Sequence, residues 1–320
     1  MTHRLSSLAR LGLAVSLLAC VALAAAPPTL AAPLGAPART VAIVTPYLTA
    51  PATHEMVGLL QNDARPYGWK TIVVSSESDI PTIASKMEDV ITRKVSAIVV
   101  VSTDLHLLKK QIADAQAAKI PVFGLDAEAV PGVVASVSSN SDQMSSLATA
   151  YLLKRMGYKG NLVVLTYSPH PGVHERTLQM YRMIKKYPAV HVVTQQEIDV
   201  TQMVPSGNKI TANLLTAHPK AGDITGVWCG WDQPAIGATQ AIMAAHREGI
   251  VVTGIDGSEQ GVSLIKKGTP LVATVKQQFD KQAALITKEV ARAFAGKAAS
   301  ARQLYAPASL ITRDTLMKGM

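Results

Sequence analysis

Two aspartates in this 320-residue chain each end a strand-like apolar run, Ile120-Pro121-Val122-Phe123-Gly124-Leu125-Asp126 and Ile250-Val251-Val252-Thr253-Gly254-Ile255-Asp256-Gly257. Runs of apolar, β-branched and small residues read as strands covered on both faces. In an open parallel sheet the ligand crevice lies outside the carboxyl ends of the strands, so a single carboxylate there points into it. An ionised carboxylate accepts several hydrogen bonds, and such charge-assisted bonds are stronger than neutral ones. Two such runs imply two lobes that face each other across a small polar ligand. An Asp after a strand also serves as a turn residue or as a helix N-cap, so the remainder of the chain has to decide.

The elements that would position these groups alternate from residue 39 onward. Strands are expected at Thr40–Thr45, Lys70–Ser75, Ser96–Val101, Ile120–Leu125 and Val133–Val137, then at Asn161–Thr166, Val190–Thr194, Ile224–Cys229, Ile250–Ile255 and Leu271–Lys276, with a short last strand near Leu310–Thr312. Helical periodicity falls between them, for example at Glu55–Tyr67, Asp142–Met156, Val173–Lys186, Gly207–Thr216, Pro234–His246 and Asp280–Ala295. Asp79 and Asp232 stand where helix N-caps are expected, Asp232 just ahead of Pro234. Repeated strand–helix units mean mostly parallel sheets with helices on both faces. So many strands rarely share one sheet, so the fold class is α/β with two doubly wound parallel-sheet lobes.

Bulk composition narrows the chemistry. Apolar residues make up 48% and aromatics only 4%, so a core is available and each Trp and Tyr is informative. The formal charge is +9, and +7 without residues 1–38, which hold Arg4 and Arg10 and no acid. The basic residues are scattered, which argues against a nucleic-acid stripe. Of the two cysteines, Cys20 lies near the N-terminus and Cys229 in a strand, where a small core residue is expected. No phosphate-binding loop or dinucleotide glycine fingerprint follows the first strand. His174-Glu175 lacks the second histidine of a zinc-protease helix, and no Gly-x-Ser-x-Gly elbow is present. No catalytic residue, cofactor or metal is expected, and the chain is read as a binder rather than an enzyme.

Residues 1–38 read as a secretory leader: Arg4 and Arg10, an apolar run Leu11–Ala26, then Pro27, Pro28, Pro33 and many alanines. That run is too short to span a bilayer, which takes about 20 residues. The expected destination is the periplasm. Leu17-Leu18-Ala19-Cys20 resembles a lipoprotein box, but the apolar run continues beyond Cys20, so lipid anchoring is the lesser alternative.

Several stretches together resemble the periplasmic solute-binding proteins of the ribose-binding type that serve ABC importers. They are Leu214-Leu215-Thr216-Ala217-His218-Pro219, Asp232-Gln233-Pro234-Ala235-Ile236-Gly237-Ala238, Gly254-Ile255-Asp256-Gly257, Lys266-Lys267-Gly268 and Leu271-Val272-Ala273-Thr274-Val275-Lys276-Gln277. The resemblance covers roughly residues 40–314. It implies the type I periplasmic binding protein fold, with three hinge crossovers near Ser139–Asn140, Gln277–Gln278 and Ala306–Ala308. It divides the chain into residues 1–38 as leader and tether, 39–139 with 278–306 as one lobe, and 140–277 with 307–320 as the other.

The family pattern transfers a ligand-binding set of Tyr47, His54 and Asp126 from the first lobe and His174, Arg176, Gln202, Trp231, Asp256 and Gln277 from the second. Arg176 has an alternative role in organising its helix or a salt bridge. The chain departs from the pattern at Ala52-Thr53, where the family carries paired aromatics, at Ala127 and His174, where it carries Arg, and at Trp231, where it carries Asn. The resemblance thus implies a monomer that closes on a sugar, polyol or other small polar solute and then docks on a membrane permease. A secreted sensor presenting its ligand to a receptor kinase or chemoreceptor is the alternative. The related cytoplasmic DNA-binding regulators begin with a helix-turn-helix, where this chain has its leader.

Overall fold

The structure is a computed structural model that describes residues 39–318. The expected secretory leader, the lipid-anchor reading at Cys20 and the last two residues of the expected second lobe lie outside the described residues. Strands and helices alternate as β1 (Thr40–Thr45), α1 (Pro51–Ala64), β2 (Lys70–Ser75), α2 (Ile83–Thr92), β3 (Ala97–Val101), α3 (Lys109–Ala117), β4 (Val122–Leu125) and β5 (Ala135–Ser139). They continue as α4 (Ser141–Arg155), β6 (Gly160–Thr166), α5 (Pro171–Ile184), β7 (Val190–Glu197), α6 (Met203–Ala217), β8 (Gly226–Cys229), α7 (Asp232–Ala244), β9 (Val251–Thr253), α8 (Glu259–Lys266) and β10 (Leu271–Gln277). The last elements are α9 (Phe279–Phe294), β11 (Gln303–Ala306), β12 (Ala308–Thr312) and α10 (Arg313–Lys318).

The strands form two six-stranded sheets, ordered β11-β5-β4-β3-β1-β2 and β12-β10-β9-β8-β6-β7. Every pairing is parallel except that of β10 with β12. Both sheets reverse their winding direction beside the first strand laid down, β1 in one and β6 in the other. The chain passes from the first sheet to the second after β5, returns after β10, and passes once more at Pro307.

Alternate residues of a strand face opposite sides, and that alternation builds two cores per sheet. In the first, Ala42, Val44, Ile98 and Val100 pack under α2 and α3, while Val41, Ile43, Val99 and Phe123 pack under α1 and α9. In the second, Val163, Leu165, Val227 and Cys229 face α6, α7 and α8, while Leu162, Val164 and Trp228 face α4 and α5. Cys229 is a buried free thiol, and burial pushes its pKa up, as for a packing residue.

Three sequence expectations about local structure change. The chain near its C-terminus holds two strands rather than one, because Pro307 interrupts a β-compatible run and sends its halves to different sheets. Helices α1 and α6 each begin four residues before the expected start, α1 with Pro51 in its first turn. Neither Asp79 nor Asp232 caps a helix: α2 starts after Thr82 without a side-chain cap, and Asp232 is the first helical residue of α7, with Trp231 in the cap position.

Candidate functional site

The carboxyl ends of β1, β4, β6, β8, β9 and β10 converge on one cavity between the two sheets. Tyr47, Asp126, Arg176, Trp231, Asp256 and Gln277 line it together with Thr53, Tyr167, His170, Met203 and Gln233, among others. Asp126 and Asp256 therefore share one cavity from different sheets.

Both aspartates sit on backbone that L residues seldom adopt, with φ of 53° at Asp126 and 132° at Asp256; Ser102, at the end of β3, has φ 54°. Non-glycine residues held there cost on the order of 1–3 kcal/mol each, and they persist where the surroundings fix them. The positive φ turns each carboxylate off its strand and over the sheet end. Gly257 completes the turn after Asp256: its φ is 74°, and a Cβ there would lie 2.7 Å from the Cα of Lys276, so the position requires glycine.

A polar chain holds Asp126. Ser102 Oγ donates to its Oδ2 at 2.9 Å, and Ser102 Oγ also lies 3.1 Å from Thr53 Oγ1 on α1. From the other sheet, His170 Nε2 stands 3.6 Å from the same Oδ2. His170 caps α5, its Nδ1 accepting from the Val173 N–H at 3.3 Å. A ring nitrogen that accepts carries no proton, so the ring hydrogen sits on Nε2, facing Asp126. The imidazole also packs on Tyr47, with ring centroids 5.6 Å apart. Burial alone would raise Asp126, but His170, Arg176 and Ser102 outweigh it and hold the carboxyl below its ordinary value.

Asp256 is in a different environment. It is 7% exposed, accepts from Gln277 Nε2 at 2.9 Å, and lies 3.9 Å from Arg176 Nη1. Burial pushes its pKa up; Arg176 and Gln277 pull it back, while Asp232 and Asp126 push it further. Asp232 is raised by burial as well, despite accepting from the Ser258 N–H at 2.7 Å, the Ser258 hydroxyl at 2.8 Å and the Thr274 hydroxyl at 2.7 Å. Its carboxylate ties the start of α7 to β10 and to the loop after β9, where its expected role was a helix cap.

Arg176 Nη1 donates to the Gly230 carbonyl at 3.0 Å, but its buried Nε has no protein partner, and neither has the buried Tyr47 hydroxyl. Unpaired buried polar groups are costly, and both residues line the cavity. Burial raises the Tyr47 phenol and keeps it a donor. Gln277 has both ends of its amide engaged, Nε2 by Asp256 and Oε1 by Gln282 Nε2 at 3.3 Å. It orients Asp256 more than it offers a free acceptor.

Three expected site residues lie away from the cavity. His54 and His174 are exposed on α1 and α5, and Gln202 is exposed at the start of α6. The reason is helical phase. On α1 the inward residues are Thr53, Met56 and Val57; on α5 they are Val173, Arg176 and Thr177. The early start of α6 puts Met203, not Gln202, on the cavity. Sequence reading missed Tyr167 and His170, which follow β6 as Tyr167-Ser168-Pro169-His170. They obey the same strand-end rule that selected Asp126. Among the described residues, no three His, Cys, Asp or Glu side chains gather as a metal site.

Residues 41–298 match the family described as periplasmic binding protein domain. The chain belongs to the periplasmic binding protein family. It is 28% identical to a ribose import binding protein of Bacillus subtilis over 256 residues, 79% of this chain and 81% of that one. It is 30% identical to a D-apiose import binding protein of Paraburkholderia graminis over 245 residues, 74% and 76% of the two chains. A crystal structure of an ABC sugar transporter subunit from Rhodobacter sphaeroides superimposes with a TM-score of 0.81 at 26% identity, covering 86% of this chain and 98% of that one. The fold is thus the type I periplasmic binding protein fold, and this periplasmic binding protein is of the ribose-binding type used by ABC importers. Its relatives carry the names of binding proteins. No helix among the described residues is long and apolar enough to cross a membrane.

Proposed function

We propose that this periplasmic binding protein captures a neutral sugar or polyol between two lobes that close on it and delivers it to the permease of an ABC importer. The observation that carries this reading is the pair of carboxylates, Asp126 and Asp256, brought from strand ends of different sheets to one cavity. Arg176 opposes Asp256, and the Nε2–H of His170 faces Asp126. These contacts leave little net charge for an ionic ligand and many acceptors for hydroxyl groups. Closing the lobes desolvates those hydroxyls, so each one without a partner lowers affinity.

In this reading Tyr47, Asp126, Arg176, Trp231 and Asp256 touch the ligand, and Gln277 positions Asp256. The lobes are residues 39–139 with 278–306 and residues 140–277 with 307–320. They swing about the three crossovers, a hinge closure of the kind known for two-lobed binders. Residues 1–38 act as a secretory leader, and the mature protein works as a periplasmic monomer, binding its solute without transforming it and without nucleic acid. The names of the relatives and the separation of the chain into two sheets support this assignment.

Isothermal titration calorimetry of the full chain against pentoses, hexoses and polyols tests it. A micromolar ligand, corresponding to about −8 kcal/mol, is expected. Asp256→Ala should weaken it at least about 100-fold, the loss of more than one hydrogen bond in a desolvated site. Unchanged affinity in that variant would remove the site from the proposal.

A further inference from the structure

Polar groups reach the cavity from both halves, but its apolar side chains gather on one wall. Tyr167, Val173, Met203 and Trp231 face it from the second sheet, and all four belong to or pack against a single apolar cluster of that half. The wall is therefore the exposed edge of a hydrophobic core, continuous from α5 across α6 to α7. Val200 extends it, and Ala50 and Ala52 stand in the same cavity from the first sheet. Beside it stand groups with unspent hydrogen-bonding capacity: the carboxylates of Asp126 and Asp256, the unpaired Nε of Arg176, the unpaired hydroxyl of Tyr47 and the amide of Gln233.

A solute hydroxylated on every carbon would bury some of its hydroxyls against the side chains of Val173 and Met203, which offer no donor and no strong acceptor. Each such group forfeits its water without replacement. A solute with a methyl or methylene end would instead gain the transfer free energy of that group. Aromatic rings alone could be read as platforms for the CH face of a sugar ring. Val173 and Met203 are aliphatic and conform to a methyl group.

We infer that the cleft selects a polyhydroxylated solute with one unhydroxylated end, a deoxy sugar or deoxy polyol. Its hydroxyls meet Asp126, Asp256, Tyr47 and Arg176, and its methyl end lies on the wall of Val173, Met203 and Trp231. This rests on the proposed sugar or polyol binding and specifies its chemical class. Met203, at the first position of α6, is the specificity-determining residue of that wall.

The test is calorimetry on the full chain with matched pairs: L-rhamnose against L-mannose, L-fucose against L-galactose, and 1-deoxypentitols against their parent pentitols. In at least one pair the deoxy member should bind roughly 10- to 100-fold tighter, the range by which an apolar pocket rejects an added hydroxyl. Met203→Gln, with an unchanged melting curve, should narrow that ratio several-fold by improving binding of the parent. If in every pair that binds the parent binds as well as or better than its deoxy partner, the inference is overturned and sugar binding stands. If no pair binds but the wider panel yields a ligand, an unhydroxylated carbon in that ligand supports the inference, and hydroxyls on every carbon overturn it. No ligand in either set overturns both readings.

Discussion

At the scale of single residues, Asp256 is a buried carboxylate on a φ of 132° that also faces the buried Arg176. Asp256→Gly relieves the backbone, by about 1–3 kcal/mol, but leaves the Arg176 guanidinium buried without its counter-charge, at about 3–5 kcal/mol. It should therefore lower the stability of the ligand-free protein and abolish the ligand-induced thermal shift; urea denaturation and a melting assay read the two effects. Burial also sets the pH dependence. Asp232 and Asp256 hold their protons in the folded state at pH values where the unfolded chain has already lost them. Stability contributed by this pair is therefore full below the ordinary carboxylate range and declines as pH rises from about 4 toward neutrality. Asp126, held low, works in the opposite direction and loses its contribution only as pH falls through its folded value. The ligand-free protein should thus denature at higher urea near pH 5 than near pH 8, and Asp256→Asn should flatten that slope.

At the scale of elements, the ligand wall depends on how closely α6 approaches α7. A Cβ on Gly237 would lie 2.2 Å from the Val204 carbonyl oxygen and 2.7 Å from the Asn208 nitrogen, both backbone atoms that cannot rotate aside. Gly237→Val should force the two helices apart, at a cost of about 1–3 kcal/mol from overpacking, measured by chemical denaturation. Because α6 carries Met203 and the cap of α7 is Trp231, ligand affinity should fall in the same variant even though neither residue is changed. Elements were also the scale at which the sequence was most readable. Apolar strands and amphipathic helices announce themselves through period, the strand-end rule found Asp126 and Asp256, and the family resemblance added Trp231. Side chains near helix starts were harder, because residues expected in loops ahead of α1 and α6 belong to those helices, and only one face of a helix reaches the cavity. His54 falls on the outer face of α1, and Gln202 stands exposed just before the first residue of α6. The role of Asp232 was hidden for another reason: its partners Ser258 and Thr274 are remote in sequence, and only the sheet brings them together.

At the scale of the whole molecule, ligand binding should bring the two halves together and stabilise them as one. At a ligand concentration of 100 Kd the stabilisation is about 2.7 kcal/mol, which for a chain of this size corresponds to a rise in Tm of about 4–5 °C. Small-angle scattering should show a smaller radius of gyration on saturation; an identical value with and without bound solute would argue against closure. The contact of His170 with Asp126 joins the two sheets directly, so His170→Ala should reduce this compaction more than it reduces the stability of either half.

Pro307 leaves a final consequence for how such a chain is made. The short segments on either side of it are edge strands of different sheets, one beside β5 and the other beside β10. Neither half can finish its hydrogen-bonded ladder until residues 303–312 are available. Arrival of β11 and β12, rather than completion of the first half of the chain, should therefore set the moment at which both sheets are complete.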